Sequence, residues 1–182
     1  MPAWLYDYIL HLSIPHPHID PLLDEFTYGD SGREAKWILE NIRIGDVIFF
    51  HVTMKGSRYV TSMYVVDKIT KGEDARRDPS IVDRYRNAHI GDNEFKGYAE
   101  DVVLFGNPDL SKIFHPPILL DRKLAERLAF DPPNPIEFNI VDKKGRHLSD
   151  LECIASATRT ARKLTREDTE IILKESVRKW PS

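Results

Sequence analysis

The sequence predicts an α+β fold: a small mixed β-barrel flanked by helices, with a C-terminal helical segment. Two apolar strands joined by the turn Met54-Lys55-Gly56-Ser57 are the clearest hairpin of the chain. Residues 31–42 show helical spacing of apolar side chains, and two more helices are predicted near the C-terminus. With 182 residues, 41% of them hydrophobic, the chain can bury one good core. We therefore expect a barrel domain over residues 1–147 and a helical extension or linker over residues 148–182.

The first predicted elements are a strand, a connection and a helix. Residues 3–14 are rich in aromatic and β-branched side chains, so we expect the first strand there. The Pro-His-Pro-His run that follows cannot continue a helix or a central strand and should be an exposed connection. In the helix, the apolar residues Ala35, Ile38, Leu39 and Ile42 form one stripe. Ser31 is the expected cap of this helix.

The strands of the hairpin are residues 47–52 and 59–69, and the Gly45-Asp46 turn precedes them. The first is almost continuously apolar, which predicts burial on both faces. Residues 70–99 are long and polar, with one helical turn expected near residues 79–87. Because long loops in compact domains are often functional, this segment is a candidate binding loop. A further strand is predicted over residues 100–105.

Prolines divide the C-terminal part of the chain. After Pro116-Pro117, Asp121 is placed to cap a short helix. A strand is predicted over residues 136–141. Two helices should follow, one from Asp150 to about residue 161 and one from Thr165 to about residue 177. The second begins with Thr165-x-x-Asp168, which is close to a capping box.

Composition limits the possible functions. A net charge of −3 argues against a protein that coats nucleic acid through bulk charge, although a local basic face remains possible. The single Cys153 excludes an internal disulfide framework. No apolar run approaches the length of a membrane span, so we expect a soluble, cytoplasmic protein. The absence of glutamine and a charged fraction of 30% are typical of proteins from hot environments.

Catalytic motifs are absent from the sequence. Neither a nucleophile elbow nor a phosphate-binding loop occurs, which predicts that the chain is not an enzyme. His16 and His18 lack a third ligand at metal-binding spacing, and His51 is expected to be a buried barrel histidine, so no metal or cofactor is predicted. Several acids could serve a metal-dependent nuclease, but surface solvation and turn formation explain them better. These acids are Asp20, Asp24, Glu25, Asp30 and Asp46.

The aromatic residues are more informative. Tyr28 precedes Gly29-Asp30 in a segment that enters the predicted barrel rim, where no apolar periodicity accounts for it. An aromatic ring at a rim can stack a flat ligand, and base stacking contributes about 1–3 kcal/mol. The long loop interleaves aromatic rings with cations, a mixture that suits nucleic acid. Its members are Arg76, Arg77, Arg84, Tyr85, Arg86, Phe95, Lys96 and Tyr98. A solvated loop held by its aromatic residues is the alternative.

The order of these motifs resembles the EVE branch of the PUA superfamily. Thr27-Tyr28, the helix, Gly45-Asp46, the strand Val-Ile-Phe-Phe-His and the strand of residues 59–66 follow each other as in that family, with Tyr28 in place of its tryptophan. The resemblance covers about residues 3–130. Related YTH domains hold N6-methyladenine in an aromatic cage, but two tryptophans typical of those cages are not matched. The resemblance implies a modified-base pocket lined by Tyr28, Gly29, Asp30, Tyr85, Phe95 and Tyr98.

The chain also resembles the N-terminal DNA-binding modules of archaeal McrB-type modification-dependent restriction systems. That resemblance implies a reader that flips N6-methyladenine out of DNA, with an AAA+ GTPase motor and a nuclease subunit as partners. Contacts to the nucleic-acid backbone are expected from Lys55, Arg58, Arg76, Arg77, Arg84, Arg86 and Lys96. An RNA-binding EVE/PUA-like protein is an alternative, as is a metal-dependent nuclease or base-modifying enzyme on the same barrel.

Overall fold

The computed structural model describes residues 1–8, 20–91 and 101–177, and these residues confirm the α+β class. The strands are Ala3–Asp7 (β1), Thr27–Ser31 (β2), Val47–Met54 (β3), Ser57–Lys71 (β4), Asp101–Gly106 (β5), Lys112–Leu119 (β6) and Arg162–Leu164 (β7). The helices are Gly32–Asn41 (α1), Gly72–Ala75 (α2), Pro79–Val82 (α3), Ala88–Gly91 (α4), Arg122–Ala125 (α5), Asp150–Ala157 (α6) and Arg166–Ser176 (α7).

The chain divides into two compact units that are discontinuous in sequence. The first comprises Met1–Tyr8, Val47–Met63 and Ile113–Ser182, and the second comprises Ile9–Asp46 and Tyr64–Lys112. The long strand β4 contributes its first half to one unit and its second half to the other. The C-terminal segment supplies β7 to the first unit. The division expected near residue 147 remains a prediction about folding domains.

The first unit is built on β3, whose residues 47–52 are all buried, as predicted. β3 pairs in parallel with β1, from Ala3 opposite Val47 to Asp7 opposite His51. β1 also pairs antiparallel with β7, and both β3 and β6 pair with β4. Aromatic rings from neighbouring elements pack on this strand, with the ring centroids of Phe49 and Phe114 6.4 Å apart. These contacts exclude water from both faces of β3.

The second unit is centred on β5, every residue of which is buried. β5 pairs antiparallel with β2 on one side and with the second half of β4 on the other. Helix α1 packs through Ala35 and Ile38, as its stripe predicted. The predicted Gly45-Asp46 turn is present: the Asp46 carboxylate accepts from the Arg43 amide at 3.0 Å, and the Gly45 amide donates to the Val66 carbonyl at 2.8 Å.

The sheet is open rather than closed. A barrel requires two neighbours for every strand. Among the described strands, β2 pairs only with β5, and β7 pairs only with β1. The α+β prediction therefore holds, while closure into a barrel is not found in the described part of the chain.

Other predicted elements need correction. Residues 136–141 do not form a strand; only Val141 makes an isolated bridge, and Asn139 has a left-handed φ of 61°. Ser31 occupies the N-cap position of α1, but its side chain makes no capping hydrogen bond. β6 was not predicted because it contains Pro116 and Pro117. It pairs with β4 alone among the described strands, and an edge strand tolerates proline.

The predicted long loop is more ordered than expected. β4 continues to Lys71, and α2, α3 and α4 follow in place of one helical turn. Apolar side chains of these helices form a buried cluster with β5, against which Tyr85 packs. The cluster consists of Ala75, Ile81, Ile90, Val103 and Phe105. No helix within the described ranges has both the length and the apolar character needed to cross a membrane.

Candidate functional site

The predicted pocket residues Tyr28, Gly29 and Asp30 lie on β2 in the second unit. Tyr28 is only 6% exposed, and its hydroxyl donates to the Asp30 carboxylate. Asp30 is half-buried, and its other carboxylate oxygen accepts from the Ser31 amide at 2.9 Å. The phenol ring is thus buried rather than open at a rim, and its hydroxyl is bonded to a partly exposed carboxylate.

Gly29 is in direct contact with the ring of His89. A Cβ added at Gly29 would lie 2.2 Å from Cδ2 of His89 and 2.4 Å from Cγ. Atoms cannot approach that closely, so a side chain at position 29 would displace the ring. The close approach between the backbone of β2 and helix α4 therefore depends on glycine.

His89 belongs to a buried polar network in the second unit. Its Nδ1 lies 2.7 Å from a carboxylate oxygen of Asp101, and its Nε2 lies 3.6 Å from one of Asp20. Asp20 accepts from the Gly29 amide at 2.9 Å and from the Asn87 side-chain amide at 3.2 Å. Arg76 completes the network by pairing with Asp101 at 2.6 Å. We call Asp20, Arg76, Asn87, His89 and Asp101 the His89 network.

The electrostatics of the His89 network follow from its burial. Burial raises the pKa of Asp20 well above its usual value, while the hydrogen bonds from Gly29 and Asn87 act in the opposite direction. A histidine paired with a carboxylate is an arrangement that can serve general base catalysis. Here both partners are buried and Gly29 covers the ring. The network is therefore placed to hold β2 against α4.

The long loop also contacts β2 and the residues before it. The Arg86 side chain donates to Glu25 at 2.6 Å and to Asp24 at 2.7 Å. The Asn87 amide lies 3.2 Å from the Thr27 hydroxyl. Residues 86–89 of the loop are thus bonded to the segment that leads into Tyr28.

The other predicted pocket residues belong to the long loop. Tyr85 is half-buried, with its ring centroid 4.9 Å from that of Phe105, and the Arg84 guanidinium lies 5.0 Å from the centre of the Tyr85 ring. Tyr85 therefore supports the cluster on β5 with part of its surface. Phe95, Lys96 and Tyr98 lie outside the described residues.

The predicted backbone-binding cations fall into two groups. Arg58 and Arg76 are held in pairs with Asp7 and Asp101, so a phosphate contact from either would require its pair to open. The other cations of this set that the structure describes are exposed. Of these, Arg77 pairs with Glu73 and Arg86 with Asp24 and Glu25, while Lys55 and Arg84 complete the group.

His51 is buried in the first unit, as predicted. Its Nδ1 accepts from Arg58 Nε at 2.9 Å, which places the ring hydrogen on Nε2. Burial, with the neighbouring Arg58 charge, lowers the pKa of His51 well below its usual value. Nε2 has no hydrogen-bond partner among the described residues. Within the same ranges no group of three or more histidine, cysteine or acidic side chains is arranged to hold a metal.

Sequence reasoning missed most of the His89 network. Asp20 was interpreted as a solvated or turn-forming acid, yet it is only 3% exposed. Asn87, His89 and Asp101 carried no motif, and Asp20 lies more than 60 residues before Asn87. The polar Asn-x-His spacing inside an arginine-rich loop is the one local signal that could have drawn attention to them.

The chain was compared with protein families, curated proteins and solved structures. No family model matches the chain, and no curated protein matches it. Among solved structures, it is similar to a crystal structure of human THYN1 protein in complex with DNA containing 5-methylcytosine. The sequence identity is 13% and the TM-score 0.46, over 98% of this chain and 99% of that chain. The α+β assignment itself rests on the strand pairing of this chain.

Proposed function

We propose that this chain is a nucleic-acid-binding domain that reads a modified base, N6-methyladenine in DNA, by flipping it into a pocket on β2. We assign Tyr28, Gly29 and Asp30 to this pocket, with Tyr85, Phe95 and Tyr98 as its further walls. The observation that carries the proposal is the attachment of the arginine-aromatic loop to β2. Asn87 and Arg86 bond to the residues before Tyr28, and His89 lies on Gly29.

The Asp30 carboxylate suits a base with an exocyclic amino group, such as adenine. Its carboxylate is half-exposed and is held by the Tyr28 hydroxyl and the Ser31 amide. N6-methyladenine keeps one N6–H group, which can donate a hydrogen bond to this carboxylate. A carboxylate that is already oriented loses little freedom on binding, so this contact favours the flipped base over an empty pocket.

The energetics set what the pocket must provide. Flipping a base costs a few kcal/mol, and stacking on one aromatic ring returns about 1–3 kcal/mol. Burial of one methyl group adds only about 0.8 kcal/mol. Discrimination therefore requires a pocket that fits the methyl group closely, and phosphate contacts from Arg77 and Arg84 add affinity. Affinity should consequently fall steeply as salt increases.

We further propose that the reader serves a restriction system with an AAA+ GTPase motor and a nuclease subunit. The resemblance to McrB-type modules supports this step. Co-purification of a tagged chain with a GTPase from its native source would test it.

The binding test uses fluorescence anisotropy with labelled DNA and RNA, single- and double-stranded. Each probe carries one N6-methyladenine, one 5-methylcytosine or no modification. We expect the tightest binding to N6-methyladenine DNA and a loss of that preference in Asp30→Ala. Tyr28→Phe, which keeps the ring and loses the hydroxyl, should weaken the preference less. Binding of no probe at low salt would refute the reader function.

A further inference from the structure

A cleft lies in the first unit, at the tip of the β3–β4 hairpin. It has a volume of about 390 Å³ and is lined by Met54, Lys55, Tyr59, Pro116 and Pro117. Ligand sites commonly start at about 300 Å³, so the cleft has room for a small flat group. None of the predicted pocket residues lines it.

The hairpin turn fixes the mouth of this cleft. Lys55 and Gly56 both have positive φ, 49° and 76°, as a two-residue turn with the right-handed twist of a hairpin requires. Lys55 is exposed, whereas Tyr59 is half-buried. The lining of the cleft therefore combines an exposed lysine with a partly exposed tyrosine.

The walls of the cleft are flat and apolar. The Tyr59 phenol, the two proline rings and the Met54 thioether offer surfaces that stack or pack against a planar ring. None of the lining side chains is a carboxylate. A planar heterocycle fits these walls better than a branched aliphatic group does.

The charge around the cleft favours an anion. The chain has more acidic than basic residues, 29 against 26, yet residues 52–60 and 113–118 contain no Asp or Glu. The same segments contain Lys55, which is exposed. Arg58 contributes little, because Asp7 balances its charge. A ligand with a planar ring and a negative group is therefore complementary to this site.

A larger cleft of about 520 Å³ in the same unit lacks this complementarity. Arg122 in its wall is already paired with Glu126 at 2.6 Å and with Asp150 at 3.5 Å. Three acids balance the three cations of the lining, so there is no local excess of positive charge for an anion. The acids are Asp121, Glu126 and Asp150, and the cations are Arg58, Arg122 and Lys123.

We propose that the Tyr59 cleft binds one unpaired nucleotide, with the base stacked on Tyr59 beside the two prolines and a phosphate on Lys55. This inference rests on the proposed nucleic-acid-binding function and adds a second contact, separate from the pocket on β2. Because every base has a stacking face, the Tyr59 cleft binds without regard to sequence or modification. It contributes affinity, and the pocket on β2 contributes discrimination.

The test compares Tyr59→Ala, Tyr59→Phe and Lys55→Ala with the unaltered chain. The probe is a labelled single-stranded DNA, with and without one N6-methyladenine, titrated at several salt concentrations. We expect Tyr59→Ala to weaken both probes by the same factor, about 5- to 150-fold. Tyr59→Phe should bind as the unaltered chain does. Lys55→Ala should reduce the dependence of log K on log salt by about 0.7, whereas Lys143→Ala, at another exposed turn, should not.

The outcomes separate this inference from the reader function. If the unaltered chain binds DNA and Tyr59→Ala binds both probes equally well, the cleft assignment is wrong and the reader function stands. If Tyr59→Ala weakens only the methylated probe, Tyr59 belongs to the discriminating pocket and the inference is also overturned. Thermal unfolding of each variant verifies that the altered chain is folded.

Discussion

At the residue scale, Gly29 shows what the sequence could and could not reveal. The Tyr-Gly-Asp motif singled out this glycine, because it sits in an otherwise unexplained polar segment. Its actual partner, His89, is 60 positions away and carries no recognisable motif. Only the folded chain shows that His89 occupies the space where a side chain would be. The sequence could single out Gly29, but it could not show the distant contact that requires glycine there.

Replacement of Gly29 by alanine should therefore destabilise the protein. The added methyl group would overlap the His89 ring and push it away from Asp20 and Asp101. Overpacking of this kind costs about 1–3 kcal/mol, and urea unfolding would measure the loss. Gly91→Ala is the matched control, because a Cβ there meets nothing within 4 Å. It lies at the end of α4 and should leave stability nearly unchanged. Equal stabilities for the two variants would contradict the packing argument.

At the element scale, helix starts were predicted better than edge strands. Asp121 and Thr165 cap helices through their side chains as predicted, because capping depends on residues three positions apart. β6 and β7 were missed for a different reason. β6 contains two consecutive prolines, which are not typical of a strand. β7 has only three residues, and its pairing with β1 is a contact between distant parts of the chain. Signals that extend over a few residues are readable in a sequence, whereas pairing across the chain is not.

The two capping boxes at α6 and α7 allow a direct comparison. Asp168 does more than cap: its carboxylate also accepts from the amides of Ala129 and Phe130, at 2.8 and 3.0 Å. Asp168→Ala would leave the buried Phe130 amide and the partly buried Ala129 amide without this partner and should cost about 3 kcal/mol. Glu152→Ala removes the equivalent residue of an exposed box and should cost clearly less than Asp168→Ala does. Urea unfolding of both variants tests the difference, and similar losses would show that the additional bonds contribute nothing.

At the scale of the whole molecule, composition indicated the size of the core but not how the chain divides into units. The fraction of apolar residues predicted one core, whereas the chain packs into two units that share β4. Each unit contains its own buried ionisable group, His51 in the first and Asp20 in the second. Their pKa values are shifted by burial in opposite directions. The stability of the molecule must therefore depend on pH through two opposing contributions.

His51 should make the protein less stable as the pH falls below about 6.5, the usual pKa of histidine. The unfolded chain takes up a proton there, while the buried ring in the folded chain does not until the pH reaches its lowered pKa. The free energy of unfolding should fall by up to about 1.4 kcal/mol per pH unit in that window. Asp20 acts in the opposite sense. Its raised pKa makes its contribution greatest below its unfolded pKa, and this contribution is lost as the pH rises through the folded value.

A comparison with His51→Asn separates the two contributions. The asparagine amide oxygen can still accept from Arg58 but does not titrate. Urea unfolding of both proteins from about pH 8 down to pH 5 gives the difference in unfolding free energy at each pH. Because Asp20 is the same in both, its contribution cancels. We expect the difference to be constant above about pH 6.5 and to shift in favour of His51→Asn below it. Parallel curves over the whole range would mean that His51 takes up a proton as readily in the folded chain as in the unfolded one.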